Sequence, residues 1–79
     1  MELQKEIIEK IADHLGISPQ DIKLDDSFQD RLGVGPLEKA DLMEMLAEEY
    51  DIKFAPTDHA RIETVQELIE IVEDLILEM

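Results

Sequence analysis

The sequence predicts an all-α protein, a small four-helix bundle with three longer helices, one short helix and a long loop between helices one and two. Three observations lead there. Apolar residues recur at three- and four-residue spacing in three separate stretches, glycine, proline and capping residues bound those stretches, and the apolar content is aliphatic, with one Tyr, two Phe and no Trp. A sheet core would draw on aromatic and β-branched residues instead. At 79 residues the chain has room for one domain, residues 1–79. A domain of this size buries only about 60% of the surface its unfolded chain exposes, so modest stability is expected.

In the first stretch Leu3, Ile7, Ile8, Ile11, Ala12 and Leu15 form one apolar stripe, and Glu2, Lys5, Glu6, Glu9, Lys10 and Asp13 occupy the other face. Gly16 follows directly, as a left-handed terminating residue would, so the first helix ends near Leu15. From Gly16 to Gly35 runs the long connection. Ser18-Pro19-Gln20-Asp21 predicts a single helical turn, and Asp25-Asp26-Ser27 reads as a further turn. Ile17, Ile22, Leu24, Phe28, Leu32 and Val34 are too many apolar residues for a solvated strap, so the connection is expected to pack over the core.

Gly35-Pro36 opens the second helix, with glycine as the cap and proline at the first helical position, where its missing N–H costs nothing. Leu37, Ala40, Met43, Leu46, Ala47 and Tyr50 are read as its buried stripe, and Glu38, Asp41, Glu44, Glu48 and Glu49 as a strongly acidic outer face. Glu38 also stands near the positive end of the helix dipole. After a linker from Asp51 to Ala55, Thr57 to Arg61 predicts a short third helix. Thr64-Val65-Gln66-Glu67 has the capping-box pattern and sets the start of the last helix, whose stripe is Val65, Leu68, Ile69, Val72, Leu75 and Ile76.

Acidic residues outnumber basic ones by 21 to 7, a formal net charge of −14. Such a surface repels nucleic acid and anionic membranes and attracts basic protein patches. Without cysteine there is no disulfide, no thiol nucleophile and no thiolate metal site. Met1 to Lys5 carries no apolar signal segment and no apolar run approaches the roughly 18 residues of a membrane span, so a cytoplasmic, non-membrane protein is expected. His14 and His59 lack paired ligand spacing and read as surface or boundary residues. Asp25, Asp26 and Asp30 suggest calcium, but an EF-hand counted from Asp26 would need glycine where Arg31 stands and glutamate where Leu37 stands. No metal site is therefore expected, only loose Mg²⁺ or Ca²⁺ binding by the clustered carboxylates. Nor is an enzyme: no Ser-His-Asp set, phosphate-cradling glycine loop or thiol is present, and acidic residues on a solvated helix make no cleft.

Ile17-Ser18-Pro19-Gln20-Asp21-Ile22, Asp26-Ser27-Phe28, Leu32-Gly33 and Leu37 follow the order and spacing of acyl carrier proteins. The sequence resembles that family further in Leu46-Ala47-Glu48-Glu49-Tyr50-Asp51-Ile52 and in Ile62-Glu63-Thr64-Val65-Gln66-Glu67-Leu68, so the resemblance spans nearly the whole chain. It implies the carrier-protein bundle. It also implies a short Asp-Ser-Leu motif at the second helix, whose serine oxygen carries 4′-phosphopantetheine, the cofactor that holds the acyl chain. Here that stretch is Gly35-Pro36-Leu37. Proline has no hydroxyl with which to form the phosphodiester, and Gly35 removes the preceding acid, so no cofactor is expected on the usual route. Ser18 and Ser27 fall on ordinary loop positions of the family pattern.

The resemblance and the charge together imply a non-enzymatic interaction module that meets basic surface patches of proteins, carrier-recognising enzymes of fatty-acid or polyketide type among them. The family's docking helix is the second, so Glu38, Asp41, Glu44, Glu48 and Glu49 are the expected contacts. Met45 joins them as a methionine off the predicted stripe, at the edge of the acidic face. A monomer is expected. Two alternatives stand beside this reading: a genuine acyl carrier that uses an unusual attachment residue or works beside a normal carrier, and an acidic decoy that mimics nucleic acid.

Overall fold

The computed structural model describes residues 2–78, and its element order is α1 (Glu2–Leu15), a 3-10 turn (Pro19–Asp21), α2 (Pro36–Tyr50), α3 (Asp58–Arg61) and α4 (Val65–Leu77). The helices enclose one aliphatic core. Ile7 and Ile11 of α1, Leu42 and Leu46 of α2, Ile62, and Val65, Leu68 and Val72 of α4 are fully buried in it, with Phe28 from the long loop. A radius of gyration of 11.4 Å is what tight packing gives a chain of this length.

Helix α1 ends as its sequence predicts. Gly16 takes φ +73°, its N–H reaches the Asp13 carbonyl, and the Ile17 N–H reaches back to the Ala12 carbonyl, so two otherwise free carbonyls are satisfied. The Ser18-Pro19 turn forms, although the Ser18 side chain makes no capping bond. Beyond it the loop packs inward through Ile22, Phe28 and Val34, with Leu24 and Leu32 half-buried. Asp26 and Ser27 shape the turns through their side chains: Asp26 Oδ2 accepts from the Lys23 N–H at 2.9 Å and Ser27 Oγ from the Asp30 N–H at 3.2 Å.

The start of α4 explains why this loop is ordered. A helix begins with N–H groups that have no partner inside it. Here Val65 N–H donates to the Asp26 carbonyl at 3.1 Å and Gln66 N–H to the Leu24 carbonyl at 2.9 Å, so the loop backbone caps the helix. Thr64 Oγ1 accepts from the Glu67 N–H, and Glu67 Oε1 accepts from the N–H of Thr64 and of Glu63, completing the capping box. Phe28 N–H to the Glu63 carbonyl and a single antiparallel bridge between Ser27 and Thr64 add to the join.

One sequence expectation fails on α2. The buried stripe is Leu42, Met43 and Leu46, whereas Leu37 is 83% exposed and Ala40 and Ala47 only half-buried. Leu37 precedes Leu46 by nine residues, about two and a half turns, so the two point in opposite directions. The expected stripe had joined residues from two faces and passed over Leu42, which is 0% exposed. The helix ends at Asp51, which takes the left-handed conformation (φ 52°) without being glycine.

Candidate functional site

The outer face of α2 collects the residues that the sequence marks. Glu38, Asp41, Glu44, Glu48 and Glu49 are all exposed. At 100° per residue they divide into two rows. Asp41, Glu44 and Glu48 continue from the exposed Leu37 in one line, spaced four, three and four residues apart, so an apolar side chain heads the acidic row. Glu38, Met45 and Glu49 form the second row, on the side of α1.

Met45 is half-buried and packs against the core, and it lines a groove at the α1–α2 seam together with Lys10, Asp13, His14 and Glu49. In that groove Lys10 Nζ lies 3.4 Å from Glu49 Oε2 and 5.8 Å from the centre of the Tyr50 ring. The Tyr50 hydroxyl is buried and has no partner at hydrogen-bonding geometry among the described residues. Burial, and after it the nearby carboxylates of Glu6 and Glu49, push its pKa up to about 12.

The head of α2 is tied to the α3 region by two contacts that the sequence did not suggest. Lys39 Nζ donates to the Ile62 carbonyl at 2.7 Å, and His59 Nε2–H donates to the Pro36 carbonyl at 3.1 Å. Neither bond has a local signature, since each joins residues 23 apart in sequence. Gly35 is extended (φ −76°, ψ 176°) and supplies no side-chain cap, and a Cβ placed there would meet nothing nearer than Glu38 Oε1 at 4.0 Å. The backbone therefore does not require glycine at this position.

Beside Pro36 lies a cleft of about 230 Å³, whose lining includes Ser27, Asp30, Gly35, Pro36, Lys39 and Glu63. Of the two serines outside α2, Ser27 is the one that reaches this cleft, and its Oγ is already engaged as an acceptor within its own turn. Among the described residues no three of His, Cys, Asp and Glu come together as a metal-binding group, and no helix is long and apolar enough to cross a membrane.

Fold and surface define a small helical carrier-type protein whose second helix carries an exposed acidic face. The sequence profile of the family described as "Phosphopantetheine attachment site" matches residues 5–72. The acyl carrier proteins of Chlamydia trachomatis serovars L2, D and A are each 30% identical to this chain over 74 residues, covering 94% of it and 96% of the relative. The chain belongs to the phosphopantetheine-binding acyl carrier protein family. It is thus a carrier-type protein and not an enzyme. The family's prosthetic group attaches through an oxygen nucleophile, and Gly35, Pro36 and Leu37 at the head of α2 carry none.

Proposed function

We propose that this chain is a carrier-shaped docking module that engages basic protein surfaces through α2 and carries no phosphopantetheine at the head of that helix. The observation that supports it most is the exposed row Leu37, Asp41, Glu44 and Glu48 directly following a helix-opening proline. Carboxylates in a row steer a basic partner and fix its register, and Leu37 offers an apolar contact at one end that docking would desolvate. The partners expected on this reading are carrier-recognising enzymes of fatty-acid or polyketide type that present basic patches. In this reading Pro36 stands where the family's attachment serine would, so the module occupies a carrier's docking site without delivering an acyl group.

The test is intact mass after incubation with coenzyme A and a broad-specificity phosphopantetheinyl transferase, with an ordinary carrier as positive control. No mass gain is expected. The double variant Gly35→Asp, Pro36→Ser restores an acid and a hydroxyl at positions whose backbone admits them, and it is expected to gain one phosphopantetheine. A stoichiometric gain on the unaltered chain would overturn the proposal. It would favour a second reading, a working carrier with an unusual attachment residue, for which Ser27 in the cleft beside Pro36 is the first residue to replace.

A further inference from the structure

In the α1–α2 seam the protein already binds a cation, its own. Lys10 Nζ sits 3.4 Å from Glu49 Oε2 and 5.8 Å from the Tyr50 ring centre, above a groove that Met45 and Asp13 also line. Lys10 thus meets a carboxylate and an aromatic ring at once, and Met45, His14 and a second carboxylate, Asp13, line the groove beside it, so a cation that displaced Lys10 would find the same two partners. The Lys10 side chain that fills it is partly solvated, 29% exposed, and Glu49 is 51% exposed. An exposed pair of this kind is a weak latch.

We infer that this seam is a second binding element of the docking surface, held in the free protein by Lys10 and taken over by an arginine of the basic partner. Arginine is the occupant because its planar guanidinium both stacks on a ring and forks between carboxylates, whereas lysine offers a single, strongly hydrated point charge. Lys10 then acts as an internal competitor for Glu49, whose Oε2 it holds in the free protein. The outer row of α2 attracts the partner, and the seam discriminates among the cations it presents. The inference rests on the docking function proposed above and adds to it the side chain that is recognised.

The probe is an arginine-rich peptide, with a lysine-rich peptide of equal length and charge for comparison, titrated against the whole chain by NMR. In Lys10→Gln the arginine peptide should bind about two- to fivefold more tightly, the range that releasing an exposed ion pair allows. Lys23→Gln removes the same charge outside the seam and should give a smaller gain. In a Glu49→Gln background the excess gain from Lys10→Gln should vanish, and thermal unfolding of each variant checks that it is folded. Equal gains from Lys10→Gln and Lys23→Gln, or equal gains for both peptides, would overturn the seam inference while leaving the outer row standing. A peptide that shifts no α2 resonance in the unaltered chain would overturn the docking function and the seam together.

Discussion

At the scale of single residues, Tyr50 and Asp51 carry the clearest consequences. Tyr50 has a buried hydroxyl close to the Glu6 carboxylate, and burial, with Glu6 after it, raises its pKa to about 12 from an ordinary value of 10.0. Between those two values the folded protein keeps a proton that the unfolded chain has lost, so stability is full below pH 10 and falls as pH rises towards 12. Chemical denaturation across that window should show Tyr50→Phe losing less stability than the parent, and the variant should be no less stable at pH 7. Asp51→Gly should raise stability by about 0.5–1 kcal/mol, because glycine adopts the left-handed terminus without Cβ strain. Leu42→Ala should cost about 2–5 kcal/mol and Leu37→Ala very little, since one side chain is enclosed and the other solvated. Comparison of their urea midpoints checks both. Leu37 and Leu42 also mark what the sequence left illegible: α2 has apolar residues on two sides, so spacing alone admits two stripes, and only the position of α1 and α4 selects between them.

Elements are where the sequence was most legible. Gly16 and the Thr64–Glu67 box are read from local chemistry because their hydrogen bonds close within one turn, and both occur as expected. The Glu63 N–H, and after it the Thr64 N–H and hydroxyl, hold the Glu67 carboxyl below its ordinary pKa against opposing desolvation. The folded state therefore keeps this carboxylate ionised to lower pH than the unfolded chain does. Its contribution is complete above the ordinary glutamate range and is lost as pH falls through the depressed folded value. Thr64→Ala should cost about 1 kcal/mol at neutral pH, and an acid titration of stability should show Glu67→Gln with the shallower loss. The remaining first-turn N–H groups of α4 are satisfied by Asp26 and Leu24 carbonyls, and the head of α2 is held by Lys39 and His59. No reading of α4 or α2 in isolation finds such partners.

For the whole molecule, charge dominates. A net charge of −14 on 79 residues sets carboxylates against one another across the surface, and added NaCl or Mg²⁺ should raise the thermal midpoint. A midpoint indifferent to both would mean that self-repulsion is negligible. If α2 docks as proposed, reversing Glu44 and Glu48 to lysine should weaken binding to a basic partner at low salt, with the difference shrinking as salt rises. Met43→Ala should cost more stability than Met45→Ala, and Met45→Ala more binding, because Met43 is enclosed by the core and Met45 lines the seam. The acidic composition was visible in the sequence at once. Its division into an outer row and a seam occupied by Lys10 was not, since α1 and α2 meet only in the folded chain.

The hydrogen bonds by which Leu24, Asp26 and Phe28 meet residues 63–66 have a kinetic consequence. They join segments roughly 40 residues apart, so they form only after a large loop has closed, while the helical turns themselves assemble from near neighbours. The amides of Phe28, Val65 and Gln66 ought then to behave as one cooperative opening unit, exchanging with deuterium together and not with the amides of α1. In that unit the long loop is a clasp on the last helix, and the order of the loop beside Pro36 is set by events at the opposite end of the sequence.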